Sequence, residues 1–289
     1  MILQSDRTRG IATAVEVTGP DQPHTQTVLR QLKYRYVTPS ELPADETQEL
    51  WQRICDVVAE AAIGTSDGAV DGGWERTFLN ERRSTVLGGC RLCLVYDGSN
   101  MVGMVGYRII DLAGRKCMQM LNGYFRPAYQ GRGLGMAVSL RLILRNMPRY
   151  PFSEYLLIME VLNPIVIAGW RARLPSESLL YPSISGERST DVLRVAAGEY
   201  SRVIAPELDI DLHTGVIHRL TPPRRPFATE CRDQAAAEYF HQHAATADGD
   251  AMLLIVDGNR RALLSGVAEF WRAAVRSGLP TIGRHQRRG

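Results

Sequence analysis

The chain has 289 residues, 45% of them hydrophobic and 22% charged, with a formal charge of +3 at pH 7. That is enough apolar material for one large core or two smaller ones, and it excludes disorder over most of the length. The small charge demands no polyanionic partner; the basic residues are nearly all arginine, Lys33 and Lys116 being the only lysines among 34.

Residues 1–32 are polar and broken by Pro20 and Pro23. Asp6, Arg7, Arg9 and Glu16 fall where a secretory signal would need an apolar run, so this part reads as an N-terminal extension with a helix near Val28–Leu32. Lys33–Val37 is a strand and Pro39–Pro43 a loop. Over Asp45–Ala62 the apolar residues Leu50, Trp51, Ile54, Val57, Val58 and Ala61 recur at helical spacing behind an acidic first turn. Gly64–Gly73 is glycine- and aspartate-rich and reads as a loop. A three-stranded meander follows: Cys90–Gly98, Met101–Ile110 and Lys116–Phe125, turning at Asp97–Asn100 and at Leu112–Arg115. A glycine-rich turn then opens into a helix that is apolar around much of its circumference, with Arg141 and Arg145 marking a solvent stripe. "EYLLIMEVLNPIVIAGW" is a buried strand running into a short helix. Beyond it, Arg219–Glu230 is a proline-broken linker and Ala251–Gly258 a strand. The last predicted element is an amphipathic helix burying Leu263, Leu264, Val267, Phe270, Trp271, Ala274 and Val275, stopped by Gly278 and Pro280. No stretch approaches the roughly 18–20 uninterrupted apolar residues of a membrane span. Five cysteines, odd and sparse, read as reduced thiols of a cytoplasmic protein.

The chemistry concentrates at Gln130-Gly131-Arg132-Gly133-Leu134-Gly135. Glycines this dense between a strand and a helix let backbone amides converge on an anion at the helix N-terminus. A P-loop would need Gly-Lys-[Ser/Thr], which is missing. The dinucleotide fingerprint would need glycine where Met136 stands. Q-x-x-G-x-G, preceded by "YFRPAY" and an antiparallel meander, resembles the acyl-CoA signature of the GNAT superfamily of N-acetyltransferases. "LLIMEVLNPIVIAGW" is similar to that family's fifth strand and following helix. The likeness runs over roughly Lys33 to Leu180.

The resemblance implies an α+β fold: a twisted, mainly antiparallel sheet flanked by helices, whose fourth strand ends in a β-bulge and parts from the fifth to admit acyl-CoA. It divides the chain into an extension over 1–32, an acyl-CoA-binding domain over 33–180 and a smaller α/β C-terminal extension over 181–289. That last part packs against the sheet or forms a homodimer contact. It implies that Gly123, Tyr124 and Phe125 pair with pantetheine, and that an amide near Phe125 faces the thioester carbonyl. Gln130, Gly131, Arg132, Gly133, Leu134, Gly135 and Met136 would form the pyrophosphate loop, and Asn163 would contact the pantetheine region. Two departures stand out. The family's frequent tyrosine acid, seven residues after the asparagine, is Trp170, whose indole N–H cannot serve as an acid near neutral pH. Glu160 is the candidate base, although the spacing to Asn163 is two residues shorter than usual. Tyr124 is the candidate substitute acid.

The expected co-substrate is acetyl-CoA or another acyl-CoA, the acceptor a small-molecule or peptide amine, and no metal, nucleic acid or membrane is implied. Cys90 and Cys93 would point to opposite faces of a strand, with no second ligand pair for zinc. His241 and His243 read as surface residues. Seven of the nine methionines fall between Met101 and Met159, as adaptable core filler or as the lining of a channel for a longer acyl chain. Transfer of a longer acyl group in peptide or natural-product modification, and an acyl-CoA-binding sensor without catalysis, are the alternatives. The acceptor loops would be Gly64–Trp74 and Ser183–Leu220.

Overall fold

The computed structural model describes residues 32–63, 83–130, 133–146, 155–174, 176–186, 188–221 and 231–258. The N-terminal extension, the Gly64–Trp74 loop, Gly131, Arg132, the 222–230 part of the linker and the amphipathic helix after Gly258 lie outside them. Among the described residues no helix is long and apolar enough to cross a membrane.

The apolar alternation of the meander gives β2 (Arg91–Asp97), β3 (Asn100–Leu112) and β4 (Arg115–Phe125). The β3–β4 hairpin closes through Ala113 and Gly114, both at positive φ (51° and 69°), which matches the twist of the flanking strands. β1 (Lys33–Val37) adds antiparallel to β2 as the edge strand. Helix α1 (Ala44–Ile63) places Leu50, Trp51, Ile54, Val57 and Val58 against this part of the sheet, where a short α2 over 83–88 joins it through Val86. On the opposite face lies α3 (Leu134–Asn146), burying Leu134, Val138, Leu140, Leu142 and Ile143. Arg141 and Arg145 do not form a solvent stripe. Their guanidinium groups lie 4.4 Å and 4.1 Å from the ring centres of Tyr34 and Tyr36, and Arg141 Nε donates to the Tyr36 hydroxyl at 2.9 Å. Cations on aromatic faces cap an edge strand that would otherwise show its rings to water.

β5 (Tyr155–Val161) runs parallel to β4, and α4 (Pro164–Arg171) follows it. The chain then forms β6 (Leu180–Tyr181), α5 (Asp191–Glu199) with a π-helical turn over Tyr200–Ile204, β7 (Asp209–Ile210), β8 (Val216–His218), α6 (Gln234–His243) and β9 (Ala251–Gly258). The nine strands make one mixed, mostly antiparallel sheet in the order β1-β2-β3-β4-β5-β9-β8-β7, with β6 also paired to β9.

The C-terminal segment is therefore not an appendage to the sheet. β9 pairs with the whole length of β5, from Tyr155 opposite Gly258 to Val161 opposite Met252. Every residue of β9 is buried. Met252, Leu254 and Val256 enter the core under α3, α4 and α6, while Ala251, Leu253 and Ile255 enter the core under α5. An uninterrupted apolar run suits a strand covered on both faces. A boundary at residue 180 cuts through this sheet rather than beside it.

Candidate acyl-donor and catalytic site

β4 and β5 are paired only from Lys116 opposite Tyr155 to Met120 opposite Met159. Past that point β4 continues to Phe125 without β5, and Glu160 and Val161 of β5 pair only with β9. The strands part there. Opposite Val105 and Gly106 of β3 stand Gly123 and Leu121, so residue 122 is the extra residue of a β-bulge. The bulge shifts the pleat: Leu121 and Tyr124, three apart in sequence, face the same side, packing with Met104 in the core under α1.

The end of β4 leaves backbone groups aimed at the gap. Arg126 N donates to Val102 O of β3 at 2.9 Å. Ladder alternation therefore turns the N–H of Phe125 away from β3, toward the open side. The Phe125 carbonyl is likewise outside the ladder and accepts from Gln130 Nε2 at 2.8 Å. Gln130 thus ties the start of the glycine loop back to the strand. Arg126 donates to Met101 O at 2.9 Å and pairs with Glu60 of α1. The Phe125 ring lies over Gly103, where any Cβ would collide with it, and a Cβ at Gly135 would sit 3.6 Å from the same ring. The first turn of α3 is thereby set against the end of β4.

Gly133 has φ +71°, a conformation L side chains avoid, and its carbonyl accepts the first bond of α3, from Ala137 N at 3.0 Å. The amides of Leu134, Gly135 and Met136 precede that bond, so they carry the positive end of the helix dipole. These groups fit a phosphate. On the other side of the gap Asn163 caps α4, its Oδ1 accepting from Ile165 N at 2.8 Å, which leaves its amide nitrogen as the group able to reach a ligand. Met136 packs so closely on α4 that a Cβ at Gly169 would lie 3.1 Å from its methyl. Trp170 is 3% exposed and belongs to the core beneath, as a packing residue.

Glu160 shares a sheet face with Leu156 and Ile158, the side covered by α5. Its Oε1 accepts a hydrogen bond from the Tyr200 hydroxyl at 2.8 Å. The Tyr200 oxygen accepts from Gln119 Nε2 at 2.8 Å, and Gln119 Oε1 accepts from Arg108 Nε at 2.7 Å. Sequence reasoning missed Tyr200, Gln119 and Arg108. The available signal was Gln119 itself, a polar residue inside the apolar face of β4, which must find partners when buried.

Cys90 and Cys93 enter cores on opposite faces of the sheet, and burial pushes their thiols up to about 11 and about 12. They are packing residues. His241 and His243 sit in the last turn of α6.

A mostly antiparallel open sheet flanked by helices, a bulged fourth strand and its parting from the fifth are the features that the resemblance to the GNAT superfamily implies. No family model matches the chain, and no curated protein matches it in sequence. Among solved structures it is similar to the PaiA N-acetyltransferase from Thermoplasma acidophilum in complex with coenzyme A, at 15% identity over 49% of this chain and 87% of that one, with a TM-score of 0.35. It is also similar to a GNAT family acetyltransferase from Brucella melitensis in complex with acetyl-CoA, at 15% identity over 44% of this chain and 74% of that one (TM-score 0.28). A third is a GCN5-related N-acetyltransferase from Kribbella flavida, at 19% identity over 49% of this chain (TM-score 0.30), of which this chain spans 33%.

Proposed function

We propose that the protein is an acyl-CoA-dependent N-acyltransferase, most simply moving the acetyl group of acetyl-CoA to a primary amine of a small molecule or peptide. The observation that carries this reading is the parting of β4 from β5 past Met120 and Met159, with the N-terminus of α3 set against the end of β4. The pyrophosphate of CoA would lie on the amides from Gly133 to Met136, and on those of Gly131 and Arg132. Pantetheine would run along the unpaired edge of Gly123, Tyr124 and Phe125, with Asn163 facing it.

In this reading the neutral amine attacks the thioester carbonyl carbon directly. The C–N bond forms, the oxyanion is stabilised by the Phe125 N–H, and the C–S bond then breaks to release the CoA thiolate. Glu160, beside the strand parting, takes the ammonium proton through water before attack. Tyr124 is the group to protonate the thiolate, whose moderate basicity asks little of an acid, and the proton that the attacking nitrogen sheds as the amide forms restores the phenol. Holding both reactants in one gap supplies much of the rate. Five sparse cysteines, an odd number, support a reducing compartment, the cytoplasm, as the place where it acts.

The test is incubation with acetyl-CoA and a panel of primary amines, scored by free-thiol release. Release that depends on one class of amine is the expected result. Saturable binding of acetyl-CoA without turnover for any amine would make the chain a sensor instead.

A further inference from the structure

A line of hydrogen bonds, every donor pointing the same way, ends on the Glu160 carboxylate. It begins at the Arg108 guanidinium, passes through the Gln119 amide and leaves through the Tyr200 hydroxyl. Gln119 and Tyr200 are 2% and 1% exposed, so neither has water to fall back on, and each misdirected polar atom would be left unpaired. A cation at one end and a carboxylate at the other fix the direction: the amide must present oxygen to Arg108 and nitrogen to Tyr200, and the phenol can then only donate to Glu160.

The backbone is arranged to deliver that phenol. Tyr200 opens a π-helical turn, and Ala205 N bonds back to Tyr200 O at 2.9 Å, five residues earlier. Widened turns of this type are mostly single interruptions of an α-helix at functional sites. Here the turn follows α5 directly, and α5 itself is fixed under the sheet by Leu193, Ala196 and Ala197. Gln119 stands opposite Ile158 in the last paired stretch of β4 and β5, and Glu160 is the first residue of β5 past it on the same face. The chain of bonds therefore arrives where the two strands part.

We infer that Tyr200 is a positioning residue that holds the Glu160 carboxylate at the parting of β4 and β5, itself oriented by Gln119 and Arg108. This rests on the reading of Glu160 as the base of an amine acyl transfer. It replaces nothing at Trp170, because Tyr200 acts through Glu160 and not on the thiolate.

Two readouts test it on the full-length protein. In the first, tyrosines are labelled at ring carbon ζ, and the Tyr200 signal is identified by its loss in Tyr200→Phe. Replacing the carboxylate by an amide in Glu160→Gln should move this signal, and Gln119→Leu, which removes the bond to the phenol oxygen, should move it as well. A signal unmoved by Glu160→Gln in folded protein overturns the proposal. The second is kinetic: Tyr200→Phe should lower kcat about 10- to 100-fold with KM for acetyl-CoA unchanged, the range expected for losing a hydrogen bond to a charged group. In a Glu160→Gln background the same change should alter kcat less than about twofold, because its effect passes through the carboxylate. Additive losses, or a loss carried in KM, would reduce Tyr200 to a packing residue. Absence of turnover in the wild type would sink the acyltransferase reading alone, since the ring-carbon signal still decides whether Tyr200 holds Glu160.

Discussion

Glu160→Gln is expected to lower kcat/KM for acetyl transfer by about 10²–10⁴ at neutral pH, the range for loss of a positioned general base. The amide keeps the shape of the side chain and can still accept from Tyr200, so the strand and its neighbours should stay in place. What disappears is the ability to take a proton from the incoming ammonium. The loss should narrow as pH approaches the amine's own pKa, because the acceptor then arrives already neutral. A pH–rate profile of wild type and Glu160→Gln with one good amine measures this. Coinciding profiles across the range would leave Glu160 a structural acceptor for Tyr200 and nothing more.

The second large effect concerns β9. Truncation before Arg219 is expected to abolish cooperative folding, because it removes the strand between β5 and β8 and leaves the whole far edge of β5 unpaired. The single substitution Leu254→Ala should cost about 2–5 kcal/mol, since the side chain is fully buried in the core shared by α3, α4 and α6. Urea denaturation measures both. A soluble truncation with wild-type stability would show that the sheet closes without β9.

Much of the local structure was legible because it is written in short periods. The helical spacing of Leu50 to Ala61 and the alternation in the three meander strands each decide their own elements, and the observed bounds differ by a few residues. The place of β9 was not legible. Its apolar run announces a strand buried on both faces, but nothing in residues 251–258 says that they lie beside residues 155–161. Among the described residues, three short strands and three α-helices lie between the two partners, so the C-terminal part read as an extension. Arg141 and Arg145 misled for another reason: charge at four-residue spacing looks like a wet face unless the aromatic residues beneath are known, and Tyr34 and Tyr36 sit on a distant strand.

The glycine-rich turn was legible because backbone conformation there demands a particular residue, as the positive φ does at Gly133. The catalytic side was not. Glu160 stood out as a carboxylate in an apolar strand, but its partner Tyr200 is 40 residues downstream on a π-turn, and hydrogen-bond partners carry no sequence period.

Calorimetric titration with CoA of the wild type and of Gly133→Val tests the central claim most directly. At φ +71° a β-branched side chain is strained, although a Cβ there meets no atom within 4 Å, so the disturbance stays in the loop and spares the buried face of α3. Saturable binding by the wild type, weakened at least about 100-fold in a folded Gly133→Val protein, is the expected result. Equal affinity of the two proteins, or no binding of CoA by the wild type, would contradict the assignment of an acyl-CoA site between β4 and β5.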